Sequence, residues 1–192
     1  MDFKNKYINV KRDKLFLAVV AIFMSIYISF SCVFFASVCA GVREDVVRLH
    51  ILANSNSEED QQIKIKVRDA LLEMNSDILS EKVNADNAHI YFEENKEELL
   101  GVVLKTLREN GYYYKAQISL QRESYETREY GNLTFPAGEY LSLKVVLGSG
   151  EGKNWWCVMF PPLCVPAADD VKTDNEKTAG YLSHEEVKII NG

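Results

Sequence analysis

The longest uncharged stretch of the chain runs from Leu15 to Val42 and constrains the fold more than any other feature. As a helix it would extend about 42 Å, which exceeds the ~30 Å hydrocarbon thickness of a bilayer. A soluble core rarely contains so long a helix without a charge. The sequence therefore predicts a signal peptide or membrane anchor over residues 1–42. Basic residues precede the stretch: Lys4, Lys6, Lys11, Arg12 and Lys14.

This basic flank predicts an orientation. Under the positive-inside tendency the flank stays in the cytoplasm, the membrane is crossed by residues 15–42, and everything after Val42 lies outside. Small residues at Val38-Cys39-Ala40 have the spacing of a signal-peptidase site before Gly41. The apolar run is, however, longer than is usual for a cleaved signal. Cleavage and retention of the leader both remain open.

The exported part is acidic. Removing residues 1–40 leaves 17 basic and 26 acidic residues, a net charge of −9. Such a surface repels phosphate backbones, so we expect no nucleic-acid partner. The glycine-rich segment Gly148–Lys153 fits neither phosphate-binding glycine motif, and the chain lacks the usual zinc and calcium spacings. We therefore expect no cofactor and no metal.

The periodicity of the exported part predicts an α+β fold with the order β-α-α-β-β-β. We expect a mostly antiparallel sheet of about four strands with two helices on one face. The boundaries of the domain are placed at residues 43–166, and residues 167–192 are predicted to be a polar extension with at most a short helix near His184 to Ile190. The predicted strands are Val46–Leu52, Tyr112–Gln121, Tyr140–Leu147 and Trp155–Phe160, and the predicted helices are Ser57–Leu79 and Ala85–Asn110. Residues 125–132 are predicted to be a polar connection, and Phe135–Gly138 a turn.

Large rings and thiols are concentrated in Asn154–Cys164, which contains both tryptophans of the protein. Neighbouring residues of a strand point to opposite faces, so Trp155 and Trp156 would each present a large ring on one side of the sheet. This pattern indicates either a strand covered on both faces or one that offers a ring to a partner.

Cys157 and Cys164 form a candidate disulfide, which the export compartment permits. The chain would have to turn back between them, since a disulfide needs Cα atoms within about 7 Å. The two prolines between them, Pro161 and Pro162, could make that bend if one bond is cis. Two buried free thiols are the alternative.

A catalytic triad would take Cys157 as nucleophile, His50 as base and Asp69 as orienting group. Nothing in the sequence brings these three together, so no catalytic residue is assigned. Polar residues also cluster where the first strand meets the first helix. A capping box formed by Ser57 and Asp60 at the start of the first helix and an Arg68 ion pair explain that cluster without a ligand.

Three segments resemble the stage II sporulation protein R family. They are His50–Ala70 (HILANSNSEEDQQIKIKVRDA), Phe135–Tyr140 (FPAGEY) and Gly152–Cys164 (GKNWWCVMFPPLC). The resemblance covers about residues 43–166, and the uncharged leader before them is also typical of the family. No motif of the family matches beyond Pro166.

The resemblance implies a signalling role in endospore formation. Members are made in the forespore and exported into the space between the two membranes of the sporangium. There they trigger a membrane-bound aspartic-type protease of the mother cell, which processes a sigma-factor precursor. The resemblance thus implies an activating ligand and not an enzyme. The alternative is an exported hydrolase of cell-wall material with Cys157 or a carboxylate as catalyst. The oligomeric state is left open.

Five residues are predicted to contact the receptor protease: Asn54, Ser55, Asp60, Trp155 and Trp156. Aromatic side chains are enriched at binding hot spots, which favours the two tryptophans. The alternative is that both rings belong to the core.

Overall fold

The computed structural model describes residues 2–84, 87–130, 133–161 and 182–190. The helices are α1 (Asp2–Asp45), α2 (Glu58–Lys82), α3 (Ala88–Glu94), α4 (Lys96–Glu109) and α5 (His184–Ile190). The strands are β1 (Val47–Leu52), β2 (Ala116–Tyr125), β3 (Arg128–Tyr130), β4 (Leu133–Phe135), β5 (Gly138–Leu147) and β6 (Asn154–Phe160).

Helix α1 contains the uncharged stretch. Its segment Arg12–Asp45 contains an 18-residue stretch with a mean hydropathy of 2.4 and is long and apolar enough to cross a membrane. This agrees with a signal peptide or a membrane anchor. The chain forms two compact units, Met1–Val38 and Cys39–Gly192. The last turns of α1 belong to the second unit, where Cys39 and Val42 are buried.

The second unit is built on a four-stranded sheet with the order β2-β5-β1-β6. The α+β prediction is confirmed, but the sheet is mixed. Strand β5 pairs antiparallel with β2 and parallel with β1, and β6 pairs antiparallel with β1. A parallel pair requires a long crossover connection. Here that connection includes three helices and β2, so the neighbours of β1 are strands distant in sequence.

The second predicted helix is two helices, separated at Asn95. The Asn95 side chain donates a hydrogen bond from Nδ2 to the Tyr91 carbonyl oxygen at 2.8 Å, and its backbone N–H donates to the same oxygen. Asparagine side chains that bond the preceding turn compete with continued helix formation, which explains the break. The predicted start of this helix, Ala85, lies outside the described residues.

Strands β3 and β4 form a separate two-stranded ribbon, in which Tyr130 pairs with Leu133. The sequence predicted a polar connection here, and that prediction was wrong. The ribbon buries Tyr130, Leu133 and Phe135 in a small apolar cluster that also contains Leu182 and Ile190 from the α5 region. The short helix predicted near His184 to Ile190 is confirmed. The rest of the predicted extension, residues 167–181, lies outside the described residues.

The sheet separates two cores. Odd-numbered residues of β1 (Val47, Leu49 and Ile51) face α2, α3 and α4 in the larger core. Arg48, on the opposite face, is fully buried in the smaller one. Its guanidinium carbon lies 4.5–5.6 Å from the centres of four aromatic rings, and Nη2 donates a hydrogen bond to the Tyr130 hydroxyl at 2.9 Å. The faces of these rings carry negative charge density that stabilises the cation. The rings belong to Tyr125, Tyr130, Phe135 and Tyr140.

Candidate functional site

Two of the family-like segments meet in three dimensions, at what we call the loop junction: residues 53–60 between β1 and α2, and residues 148–153 between β5 and β6. Gly152 N–H donates to the Ala53 carbonyl at 2.9 Å. Ser149 N–H donates to Asn54 Oδ1 at 3.0 Å, and Lys153 N–H donates to Asn56 Oδ1 at 2.9 Å. The asparagines therefore hold together two loops that are distant in sequence.

Asp60 lies at the centre of the loop junction and is buried. Its Oδ2 accepts hydrogen bonds from Asn54 Nδ2 at 2.8 Å and from Ser55 Oγ at 2.6 Å. Its Oδ1 accepts one from the Tyr114 hydroxyl at 3.2 Å. Burial raises the pKa of Asp60, but the hydrogen bonds from Ser55, Asn54 and Tyr114 more than offset it, so the pKa lies below its usual value. Asp60 is therefore an anionic anchor inside the domain.

The start of α2 differs from the predicted capping box. Ser57 Oγ accepts from Asp60 N–H at 3.2 Å, so Ser57 is the N-cap as predicted. The reciprocal bond does not form, because the Asp60 carboxylate is engaged by Asn54 and Ser55. Instead Ser57 N–H donates to Ser55 Oγ at 3.1 Å. The cap is thereby coupled to the loop junction.

The two tryptophans point to opposite faces of β6, as the alternation predicted. The ring of Trp155 packs against the larger core, and the Arg68 guanidinium lies 4.5 Å from its centre. Arg68 also forms the expected ion pair, with Asp69 Oδ1 at 2.6 Å. Trp156 packs against the smaller core. Its ring stacks on the His50 imidazole with centres 3.4 Å apart.

A polar group centred on His50 was not predicted from the sequence. His50 Nδ1 lies 3.0 Å from Glu123 Oε2, and Nε2 lies 3.1 Å from Asn154 Oδ1. Lys144 Nζ lies 3.1 Å from Glu123 Oε1. Burial raises the pKa of Glu123, but bonds to Ser142, His50 and Lys144 outweigh it and leave the pKa lowered. These residues belong to four strands (β1, β2, β5 and β6), so only the strand order brings them together.

The structure does not assemble the catalytic arrangement considered from the sequence. The side chain of Cys157 faces the larger core, where it is buried and disulfide-bonded. His50 lies on the other face of the sheet, and Asp69 is paired with Arg68 on α2. The imidazole is 4% exposed, with both ring nitrogens engaged. Because Cys157 is disulfide-bonded, it has no free thiol to act as a nucleophile.

Across the described ranges, no group of three or more His, Cys, Asp or Glu residues could hold a metal ion.

The predicted partner of Cys157, Cys164, lies outside the described residues, so the pairing stays a prediction. Cys32 and Cys39 are free. The Phe160–Pro161 peptide bond is cis.

We expect peptide mapping of the full-length protein, alkylated under denaturing conditions without reductant, to give one disulfide-linked species containing Cys157 and Cys164. Cys32 and Cys39 should carry the alkyl label, which provides an internal control for complete alkylation. Reduction before alkylation should release the linked peptides and label all four cysteines. A linked peptide joining Cys157 to any other cysteine would contradict the pairing.

The five predicted contact residues are all engaged within the domain. Asp60 is buried, whereas Asn54, Ser55, Trp155 and Trp156 are half-buried. Among the described residues, Trp155 Nε1 is buried without a hydrogen-bond partner. Contact of these five residues with a partner stays a prediction.

The fold and the site define an α+β domain behind an N-terminal apolar helix, with a tightly bonded loop junction. The sequence model for stage II sporulation protein R matches residues 43–170. The chain is 33% identical over 149 residues to "Stage II sporulation protein R" of Bacillus subtilis strain 168, covering 76% of this chain and 66% of that protein. The chain therefore belongs to the stage II sporulation protein R family. The aligned region spans about two thirds of the length of that relative.

No solved structure matches the chain. The family match includes the whole loop junction, β6 and the segment that follows it. Several residues from two of the segments that carried the resemblance, among them Asn54, Asn56 and Gly152, are therefore involved in holding the two loops together.

Proposed function

We propose that this chain is an exported sporulation signal that activates a membrane-bound aspartic-type protease in the mother cell and so causes processing of a sigma-factor precursor. In this proposal the chain acts in the space between the two sporangial membranes, either released or anchored by α1. The observation that carries the proposal is membership of the stage II sporulation protein R family over the folded domain. The apolar helix before that domain supports export.

The site supports a binding role over a hydrolytic one. Cys157 is disulfide-bonded and the His50 ring is covered by Trp156, so neither group is free to attack or to accept a proton from a substrate. The hydrogen bonds that Asn54 and Asn56 accept instead hold the backbone of the loop junction in one conformation. A surface fixed before binding loses little conformational entropy on association.

The test is co-expression of the full-length chain with the mother-cell protease and the sigma-factor precursor in a non-sporulating host. We expect the processed sigma factor to appear only when all three proteins are present. A matched control carries Ile26→Arg and Phe30→Arg in the apolar helix. Each arginine at the centre of a membrane helix costs about 2.5–3.5 kcal/mol of insertion, so this variant should stay inside the cell and cause no processing.

Absence of processing with the unaltered, exported chain would contradict the proposed activity. An assay of the purified protein on peptidoglycan addresses the hydrolase alternative. Release of soluble wall fragments by the protein would favour an enzyme, whereas unchanged peptidoglycan is expected for a ligand.

A further inference from the structure

Strand β2 forms one edge of the sheet, since β5 is the only strand among the described residues that pairs with it. It has ten residues, and its register with β5 is continuous from Ala116 to Tyr125. The strand contains no proline, and its pairing shows no bulge, although these are common ways to block a sheet edge. An open edge of this length can accept a further strand.

The register identifies which backbone groups of β2 point away from the sheet. Gly148 N–H donates to the Lys115 carbonyl at 2.8 Å, one step before the pair Ala116 and Leu147. Opposite residues of antiparallel strands alternate between bonded and non-bonded pairs. The odd-numbered residues of β2 therefore bond to β5, and the even-numbered ones direct their N–H and C=O groups outward. The described part of the chain supplies no backbone partner for these outward groups.

A groove of about 510 Å³ lies beside the first residues of this edge. It runs between the end of α4 and the start of β2. The side chains of Ala116, Ile118 and Leu120, all half-buried, pack on the helix side of the sheet. The groove is lined by Leu104, Leu107, Arg108, Tyr112, Tyr113, Tyr114, Lys115, Ala116 and Gln117.

The groove carries positive charge on an acidic domain. Arg108 and Lys115 are both exposed, and neither forms an ion pair with a described carboxylate. Tyr113, between them in the sequence, is 84% exposed, more than any other large hydrophobic side chain among the described residues of the folded unit. Exposed aromatic rings next to arginine are typical of binding hot spots. Charge complementarity therefore favours an acidic partner segment with a large apolar side chain.

We propose that an extended acidic segment of the membrane-bound protease adds as a strand to the outer edge of β2 beside Ala116–Leu120. Main-chain hydrogen bonds to the outward groups hold the segment, as in other cases of strand addition. One apolar side chain of the segment enters the groove next to Tyr113. Carboxylates of the same segment pair with Arg108 and Lys115. This inference rests on the proposed function and names the surface through which it acts.

Charge reversal tests the recognition in the co-expression assay. A full-length chain with Arg108→Glu and Lys115→Glu should process the sigma-factor precursor roughly tenfold less, because repulsion replaces attraction at the groove. The matched control is Lys105→Glu, which changes an exposed lysine of the same helix outside the groove and should process normally. Equal processing by the double variant and the control, at equal exported amounts, would overturn the inference.

A pair of proline variants tests strand addition. Ala116→Pro and Ser124→Pro each remove an outward N–H of β2, and an edge strand tolerates proline at such positions. Only Ala116 lies beside the groove. We expect Ala116→Pro to lower processing and Ser124→Pro to leave it unchanged. Resistance of the exported variants to digestion by an added nonspecific protease verifies their folding. If Ala116→Pro fails to fold, the charge-reversal variant tests the inference in its place.

A photo-reactive phenylalanine derivative at Tyr113 identifies the occupant. We expect a crosslink to the co-expressed protease, and none from the same group at Lys105. A crosslink to a second copy of this chain, or no crosslink while processing continues, would overturn the inference. A crosslink to the protease without processing would support the proposed docking surface but contradict the proposed activation of the protease.

Discussion

Gly152→Ala is expected to destabilise the domain by about 2–3 kcal/mol, because a methyl group has no room at this position. An added Cβ would lie 2.2 Å from the Ser55 carbonyl oxygen and 2.7 Å from its carbonyl carbon. Both atoms are backbone and cannot rotate aside. The loops must separate, which breaks the Gly152 bond to Ala53 and the neighbouring Lys153 bond to Asn56.

The matched control is Gly101→Ala in α4. No atom lies within 4 Å of an added Cβ there, and the residue is exposed in a helix interior. Alanine is favoured over glycine at such a position, so this variant should gain about 1 kcal/mol. Thermal unfolding of the full-length protein in detergent is followed by the fluorescence of Trp155 and Trp156, which both belong to β6 in the folded unit. We expect a midpoint roughly 5–10 °C lower for Gly152→Ala. A midpoint equal to that of the unaltered protein would refute the close contact.

Asp60→Asn is expected to cost about 2–3 kcal/mol at neutral pH. The carboxylate accepts from Asn54, Ser55 and Tyr114. An amide offers one acceptor oxygen and turns an N–H group toward the remaining donors. At least one buried donor is then left without a partner. Urea unfolding monitored by tryptophan fluorescence measures the loss, and Asp69→Asn is the control, since Asp69 is an exposed residue with one ion-pair partner.

The cost of Asp60→Asn should depend on pH. Because the pKa of Asp60 is lower in the folded than in the unfolded state, its ionisation stabilises the fold above the unfolded-state pKa of about 3.9. This stability is lost as the pH falls through the folded-state pKa. The difference between the unaltered protein and Asp60→Asn should therefore shrink below about pH 4. A difference that stays constant from neutral pH into this range would show that the anion does not hold the loops.

Much of the local structure was predictable because it follows from short-range patterns. The alternation of large side chains placed Trp155 and Trp156 on opposite faces. Ser57 at the end of a polar loop marked the start of α2. The uncharged stretch identified α1 without reference to any other part of the chain. Each of these features depends on residues that are neighbours in sequence.

The errors have a common physical origin. The parallel pairing of β1 with β5 depends on which strands meet after a long crossover, and the β3–β4 ribbon packs in an apolar cluster that includes Leu182 and Ile190 from the far end of the chain. The contact of His50 with Glu123 joins residues 73 positions apart. Local periodicity contains no information about such partners.

The regions that carried the family resemblance show the same contrast between features of neighbouring residues and contacts between distant ones. By itself the sequence determined that an apolar helix precedes an acidic α+β domain, that this domain resembles stage II sporulation protein R, and that both tryptophans lie on one strand. Those conclusions depend on charge, periodicity and motif, which are properties of consecutive residues. Only the tertiary structure decided that Asp60 is a buried anchor and that Gly152 lies against Ser55, because both depend on two distant loops meeting. It also left the β2 edge open beside Arg108 and Lys115, since the order of the strands determines which edge remains unpaired.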